Sequence, residues 1–224
     1  MKVGIVYTST TPELIELVER ELREALGPDA EFASFEDPSI LAEVREQGYV
    51  TATATARLGG LFVDAINAGA DAVLNCCSSV GEIADSVQDM ARFAGIPIVR
   101  IDEEMCRAAV RKGARIAVMA TLSSTLDPTK NTLRRVAREM NKRVELVDAL
   151  VEGAFGLSQD EFKSRMLGRA KEVMEKADVI LFAQGSMAYC EGVIRETCMK
   201  PVFSSPRFGA AAIRDALRDK GLIA

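Results

Sequence analysis

The sequence contains no histidine. That absence excludes a Ser-His-Asp triad, a zinc ion held by imidazole and a histidine proton shuttle. Basic residues are also too few to indicate a nucleic-acid partner, because 28 lysines and arginines stand against 33 aspartates and glutamates and leave a net charge of −5 at pH 7. Any acid–base chemistry therefore falls to cysteine, aspartate, glutamate, lysine or tyrosine side chains.

Several other features are missing. No apolar run approaches about 18 residues, so we expect no membrane span and no membrane partner. The N-terminal strand is too short for a signal peptide, and neither a GxxxxGK[ST] phosphate loop nor a GxGxxG dinucleotide motif is present. The five cysteines are odd in number and form no CxxC pair. They indicate a cytoplasmic protein with reduced thiols and without a metal site.

What the sequence does contain is an alternation of strand-like and helix-like segments along all 224 residues. We predict helix starts at Thr11-Pro12 and Asp127-Pro128 and a helix near Gly81–Phe93. Such alternation is typical of parallel sheets covered by helices on both faces. Apolar residues make up 48% of the chain, which is enough for a sizeable core. Eight strand-like segments in this length fit two architectures, a closed α/β barrel or two doubly wound lobes that face each other across a cleft.

An internal repeat favours the two lobes. Lys2–Thr10 resembles Arg115–Ser123, since each is a basic residue, an apolar strand and a hydroxyl-rich loop, and Asp71–Ser79 resembles Asp178–Ser186. The offsets are 113 and 107 residues, close to half the chain. We therefore predict two pseudo-symmetric lobes. The N-terminal lobe takes residues 1–96 and 207–224, and the C-terminal lobe takes residues 97–206.

The segment after the third strand, Asn75-Cys-Cys-Ser-Ser-Val-Gly-Glu82, carries the strongest local signal. Ligands bind beyond the carboxyl ends of the strands in open α/β sheets, and we expect Cys77 at such an end, directly before a helix. A helix N-terminus lowers the pKa of a thiol, because free N–H groups favour the thiolate. Ser78 and Ser79 can then bind a carboxylate. Because neighbours on a strand point to opposite faces, Cys76 is expected against a packed layer.

Two further loops carry clustered hydroxyls at matching places in the two halves, Thr8–Thr10 and Thr121–Thr125. They either hold the charged ends of a small substrate or only cap the helices that follow. In the second half, Gln184 aligns with Cys77, and Cys190 lies six residues further on. Besides Ser78 and Ser79, the candidate substrate-binding residues are Ser9, Thr10, Thr121, Ser124, Gly185 and Ser186. The carboxylates that are candidates to orient or deprotonate a thiol are Glu82, Asp85 and Glu191.

These motifs resemble those of the aspartate/glutamate/hydantoin racemase superfamily over nearly the whole chain. Cys77-Ser78-Ser79 is similar to that family's first Cys-Asn-Thr motif, and Thr121 with the stretch Thr125–Thr129 is similar to its central signature. The resemblance implies two flavodoxin-like lobes with the active site in the cleft between them. It also implies a mechanism without a cofactor, in which two cysteines flank the α-carbon of a bound acid. One thiolate removes the α-proton, and the other thiol delivers a proton to the opposite face.

The sequence departs from the family at the second cysteine, which would fall near Gln184 or Gly185. With Cys77 as the first acid–base group, Cys190 is then the candidate for the second. Alternatively, one thiol acts alone, as in relatives that carry out decarboxylation or cis–trans isomerisation.

We therefore predict an isomerase, specifically a racemase or epimerase that acts at the α-carbon of a small carboxylic acid of the amino acid or hydantoin class. A single-cysteine lyase, decarboxylase or cis–trans isomerase acting on a small dicarboxylate is the alternative. A non-catalytic protein that binds a small acid is a further alternative. The expected partner is a small carboxylate, and a homo-oligomer is the commonest state of such proteins.

Overall fold

The computed structural model describes residues 1–154 and 156–223. Phe155 and Ala224, which fall inside the two predicted lobes, lie outside the described residues. The strands are β1 (Lys2–Tyr7), β2 (Glu31–Glu36), β3 (Ala72–Asn75), β4 (Ile98–Arg100), β5 (Arg115–Ala120), β6 (Glu145–Leu150), β7 (Val179–Phe182) and β8 (Val202–Phe203). The helices are α1 (Pro12–Leu26), α2 (Pro38–Gln47), α3 (Ala52–Asn67), α4 (Gly81–Ser86), α5 (Gln88–Ala94), α6 (Glu103–Lys112), α7 (Ser123–Glu139), α8 (Gln159–Val173), α9 (Glu191–Cys198) and α10 (Pro206–Asp219). Tight 3-10 turns cover Ser78–Val80, Met174–Lys176 and Gly185–Cys190.

These strands form two separate parallel sheets rather than one closed barrel. The strand orders are β2-β1-β3-β4 and β6-β5-β7-β8, and every pairing is parallel. The predicted fold class, two lobes that each carry a parallel sheet with flavodoxin-like strand order, is confirmed. Among the described residues, no helix is long and apolar enough to cross a membrane.

The first sheet is covered on both faces because its two central strands are buried and mostly apolar. All of β3 is buried, as is every residue of β1 after Lys2. Side chains alternate between the faces, so Val3 and Ile5 pack with α1 and α10, whereas Val6 and Val73 pack with α3. This alternation decides which face each residue beyond the strand ends belongs to.

The second sheet repeats the scheme with α8 and α9 on one side and α6 and α7 packed against β7 and β5. One helix start differs from the sequence prediction, which placed it at Asp127-Pro128. Helix α7 begins at Ser123, because the Thr125 and Leu126 N–H groups donate to the Leu122 carbonyl at 3.1 and 3.2 Å. Proline therefore lies within the helix, and the predicted loop residue Ser124 is helical.

The internal repeat appears as one contact made twice. The Lys2 N–H donates to the Asp71 carboxylate at 2.8 Å, and the Arg115 N–H donates to the Asp178 carboxylate at 2.9 Å. Each aspartate directly precedes the strand that pairs with the strand of its donor. An equivalent pair of a basic and an acidic residue thus joins β1 to β3 in the first sheet and β5 to β7 in the second.

The chain divides into two compact units at slightly different points from those that the sequence suggested. One unit holds Met1–Ile101 and the residues from Pro206 onward, and the other holds Asp102–Ser205. The first crossing follows Ile101 instead of residue 96, because β4 pairs with β3 and so belongs to the first sheet.

Candidate functional site

The carboxyl ends of the first sheet's strands lie at one edge, because the strands are parallel. There β1 and β3 end side by side, with the Cys76 N–H donating to the Val6 carbonyl at 2.9 Å. Cys77 comes next and leads into the turn Ser78–Val80 and helix α4. The sequence predicted this position for Cys77, although the single helix expected near Gly81–Phe93 is divided into α4 and α5.

The two neighbouring cysteines pack on opposite faces of the sheet. Cys76 packs against the cluster built by β1, β3, α1 and α10, whereas Cys77 packs against the cluster on the α3 side. Burial, and then the nearby Cys77, raises the pKa of the Cys76 thiol well above its usual range. Both thiols are half-buried, so it is the raised pKa that keeps Cys76 a neutral thiol. Cys77 directly precedes the turn into α4 and is the member of the pair that is suited to chemistry.

Three residues at the carboxyl ends of β1 and β3 have buried polar atoms without hydrogen-bond partners among the described residues. Among the described residues, the Tyr7 and Thr8 hydroxyls and the Asn75 amide oxygen have no partner, although each residue is at most 1% exposed. The Asn75 amide nitrogen donates to the Cys77 carbonyl at 3.2 Å, so the amide oxygen points elsewhere. Burial raises the pKa of Tyr7, which keeps its hydroxyl protonated. An unpaired buried group costs about 1–3 kcal/mol, so several together indicate a functional site.

A buried arginine at the same edge was not among the predicted site residues. Arg100 ends β4 beside Asn75, its side chain is 2% exposed, and its Nη1 lies 2.6 Å from Asp85 Oδ2. Its guanidinium lies against Gly81, where an added Cβ would overlap with it. Arg100 thus holds the start of α4, directly after the turn that Cys77 begins. The signal in the sequence was a charged residue at the end of an apolar strand, since a buried charge is rare without a partner.

At the carboxyl ends of the second sheet's strands, polar groups form hydrogen bonds with one another. Gln184 Oε1 accepts hydrogen bonds from the Thr121 N–H at 2.7 Å and from the Thr121 hydroxyl at 3.0 Å. These bonds join the loop after β7 to the end of β5. The Ser204 hydroxyl donates to the buried Glu191 carboxylate at 2.6 Å, which joins the end of β8 to the start of α9.

The second predicted cysteine, Cys190, lies in the hydrophobic core of the second lobe. It ends the turn Gly185–Cys190, is fully buried and packs among Phe182, Met187 and Ile194. Burial raises the pKa of its thiol to about 11, partly offset by the Tyr189 hydroxyl. Neither its burial nor its protonation favours a thiol that exchanges protons with a substrate.

The predicted substrate-binding residues fall into two groups, one at each sheet edge. At the first edge, Ser78 and Ser79 are buried, and the Thr10 hydroxyl donates to Glu36 at 3.0 Å. At the second edge, Thr121 is bonded to Gln184, and the Ser124 hydroxyl is buried without a partner among the described residues. The remaining three are half-buried Ser9 and Gly185 and exposed Ser186. Of the candidate carboxylates, Asp85 pairs with Arg100, Glu191 bonds Ser204, and Glu82 is exposed.

The sequence pattern that defines the Asp/Glu/Hydantoin racemase family matches residues 3–213, which confirms the resemblance seen in the motifs. No curated protein matches the sequence.

Solved structures with a similar fold include two racemases and a decarboxylase. The allantoin racemase from Klebsiella pneumoniae has a TM-score of 0.69 and 16% identity, with 99% of this chain and 89% of that chain covered. A glutamate racemase from Bacillus anthracis has a TM-score of 0.75 and 14% identity, with 99% and 83% covered. An arylmalonate decarboxylase has a TM-score of 0.53 and 17% identity, with 100% and 94% covered. At these identities the likeness shows the fold alone.

Proposed function

The chain belongs to the Asp/Glu/Hydantoin racemase family, and we propose that it moves a proton at the carbon next to the carboxylate of a small acid, with the Cys77 thiol as the acid–base group. The observation that carries this proposal is the edge of the first sheet. A half-buried cysteine follows a central strand there, and at the ends of β1 and β3 the Thr8 hydroxyl and the Asn75 amide oxygen are buried without partners within the described residues. The similar folds of an allantoin racemase and a glutamate racemase support a substrate of the amino acid or hydantoin class, in which the reacting carbon lies next to a carboxylate or to a ring carbonyl.

In the proposed reaction, the Cys77 thiolate takes the α-proton, and the electron pair of the broken C–H bond moves toward the carboxylate. A proton next to a carboxylate is much less acidic than a thiol, so hydrogen-bond donors must stabilise the charge that develops on the oxygens. The hydroxyls of Thr8, Ser78 and Ser79 are the proposed donors on this side. The Cys77 thiol, whose proton exchanges with solvent, returns a proton to the carbon and becomes a thiolate again.

A reaction that needs only one thiol is the second candidate, because Gln184 aligns with Cys77 and Cys190 is buried in the core. In a decarboxylation, the bond between the α-carbon and a carboxylate breaks and carbon dioxide leaves. The electron pair left on the carbon then takes a proton from Cys77. The fold that the chain shares with an arylmalonate decarboxylase supports this candidate.

Proton NMR in D₂O tests the proposal directly. Aspartate, glutamate, hydantoins and substituted malonates are incubated with the wild-type protein, Cys77→Ser and the matched control Cys76→Ser. We expect at least one compound to lose its α-proton signal, or to lose carbon dioxide, with the wild type and Cys76→Ser but not with Cys77→Ser. Chirality of the product separates racemisation from a reaction on one face. A reaction that survives Cys77→Ser contradicts the role proposed for Cys77, whereas no reaction with any compound contradicts the proposal and favours the non-catalytic alternative.

A further inference from the structure

Arg100 lies on the same face of the first sheet as Cys77. Arg100 pairs with Asn75 across β3 and β4, and Cys77 follows Asn75 by two residues. Side chains two residues apart point to the same face of a sheet, and the backbone of Cys77 is still extended, with φ −122° and ψ 112°. Cys77 also packs against the cluster that holds the preceding pair on this face, Val73 and Ile98.

The spacing of a sheet places the Cβ atoms of Arg100 and Cys77 roughly 8 Å apart, since neighbouring strands are about 4.8 Å apart and two residues along a strand span about 6.6 Å. From there the arginine side chain extends to α4, where its guanidinium lies against Gly81. Gly81 directly follows the turn Ser78–Val80, to which Cys77 leads. The cation therefore lies beside the segment that begins with Cys77.

The positive charge of Arg100 is enclosed, whereas its carboxylate partner is not. The Arg100 side chain is 2% exposed, and the Asp85 side chain, whose Oδ2 lies 2.6 Å from Arg100 Nη1, is 36% exposed. Water and ions screen a half-exposed carboxylate more than a buried guanidinium, so a net positive potential remains beside the turn. A nearby cation favours the deprotonated form of a thiol.

The other charged groups on α2 to α5, which cover this face, are paired or exposed. Asp37 and Glu43 form ion pairs with Arg57 of α3. Those that are exposed to water are Arg45, Glu46, Asp64, Glu82, Asp89 and Arg92. On the opposite face, Cys76 is neutral, because burial raises its pKa. Arg100 therefore contributes an enclosed positive charge beside the turn.

We propose that Arg100 is a positioning residue that holds the turn after Cys77 and, through its buried charge, favours the thiolate form of Cys77. The turn is held at both ends. Before it, the Asn75 amide nitrogen donates to the Cys77 carbonyl at 3.2 Å, and after it the Arg100 guanidinium packs against Gly81. The inference rests on the proposed function in one respect, that the Cys77 thiolate is the base. Arg100 acts through Cys77 and not on the substrate.

The rate at which iodoacetamide alkylates Cys77, followed by mass spectrometry as a function of pH, measures the thiolate. Every protein in the series carries Cys76→Ser, and the other three cysteines are buried. We expect Arg100→Gln to raise the midpoint of the profile by about one pH unit, as for a charge roughly 8 Å away, and so to lower the rate below the midpoint about tenfold. Arg100→Lys, which keeps the charge, should keep the parent midpoint. Asp85→Asn, which removes the negative partner, should leave it at or below the parent value.

The directions of these shifts separate the effect of charge from a purely structural role. If Arg100 and Asp85 only tied α4 to β4, a substitution on either side of the pair would change the profile in the same direction. An unchanged midpoint in Arg100→Gln, or an Asp85→Asn midpoint that rises with it, therefore overturns the inference. Arg92→Gln, at an exposed arginine of α5, is the matched control and should match the parent.

Thermal unfolding shows whether each variant is folded. If Arg100→Gln unfolds early, Arg100→Lys and Asp85→Asn still decide, because a midpoint raised in both overturns the inference. Alkylation needs no substrate, so its outcome is independent of the proposed function. Proton exchange that needs Cys77, with an unchanged midpoint in Arg100→Gln, would reject only the role of Arg100. A raised midpoint without exchange on any compound would reject only the catalysis.

Discussion

The strands are arranged alike in the two sheets, but the polar groups at their carboxyl ends differ in hydrogen bonding. At the amino ends of the strands, Asp71 accepts a hydrogen bond from the Lys2 N–H, and Asp178 accepts the equivalent bond from the Arg115 N–H. At the first edge, Tyr7, Thr8 and Asn75 are buried with polar atoms that lack partners among the described residues. At the second edge, Thr121 bonds Gln184 and Ser204 bonds Glu191.

The difference shows how a repeated fold divides its tasks. The packing of apolar residues keeps the paired strands alike in the two halves, whereas the loops that follow the strands differ. At the carboxyl ends of the first sheet's strands, a half-buried thiol and unsatisfied buried polar atoms follow neighbouring strands, which suits acid–base chemistry on a bound molecule. At the carboxyl ends of the second sheet's strands, Gln184 and Glu191 each accept a hydrogen bond from a side-chain hydroxyl, and among the described residues the enclosed hydroxyls of Ser124 and Ser205 lack partners.

The largest expected effects come from cysteine variants, which test whether the thiol of the first lobe alone carries out the proton exchange. We expect Cys77→Ser to slow proton exchange by about 10²–10⁴-fold, the usual contribution of a general acid–base group. Cys190→Ala should keep the wild-type rate and lower the free energy of unfolding by about 1 kcal/mol, as is common for a substitution in the core. Exchange kinetics in D₂O and urea unfolding measure the two effects. An equally large loss of exchange in Cys190→Ala would mean that both lobes supply a thiol to the chemistry.

The next largest effects concern stability, at one glycine in the first turn of α4 and one in the first turn of α9. An added Cβ at Gly81 overlaps with the buried Arg100 guanidinium, whereas Gly192 has open space around the same position. We expect Gly81→Ala to lower the free energy of unfolding by about 1–3 kcal/mol, the cost of overpacking. Gly192→Ala should raise it by about 0.5–1 kcal/mol, because alanine suits a helix better than glycine. Urea unfolding with the same sign for both variants would show that Arg100 does not constrain the start of α4.

The smallest expected effect is a pH dependence of the stability that the contact between Arg115 and Asp178 provides. The Arg115 guanidinium donates to Asp178 at 2.6 Å and, with the Arg115 N–H, holds the pKa of that carboxyl below its usual range. Because the pKa is lower in the folded protein, this stabilisation is complete above the usual carboxyl pKa of about 4 and is lost as the pH falls through the folded value.

The urea midpoint of Asp178→Asn should therefore lie below that of the wild type at neutral pH and approach it in acid. Arg115→Met keeps the backbone donor and should show a smaller offset. An offset for Asp178→Asn that is the same at both pH values would rule out this ion pair as a source of acid sensitivity.

Local patterns in the sequence were sufficient for the fold and for the position of Cys77. Apolar strands, helix starts such as Thr11-Pro12, and the half-chain repeat are signals carried by neighbouring residues, and each is visible without the structure. The helix start at Asp127-Pro128 was wrong because proline near a helix start is only a preference, and backbone bonds to Leu122 begin α7 earlier. The placement of each side chain in the site depended on contacts between distant segments.

Arg100 and Gln184 illustrate what those contacts decide. Nothing next to Arg100 in the sequence shows that Asp85 and Gly81 surround its guanidinium, because strand register and the turn after Cys77 bring them together. Gln184 aligned with Cys77 in the repeat, but its orientation is set by Thr121, 63 residues away along the chain.

The sequence by itself determined the parallel sheets, the duplication and the one cysteine that follows a central strand before a helix, because these follow from periodicity and from residue types at short spacing. Only the tertiary structure decided that Cys190 is packed in the core, that Arg100 is buried at the site and that Thr121 orients the Gln184 amide. Those facts depend on which atoms meet across the fold, and burial and hydrogen bonding between distant residues control the chemistry of a thiol or an amide more than its position in the chain does.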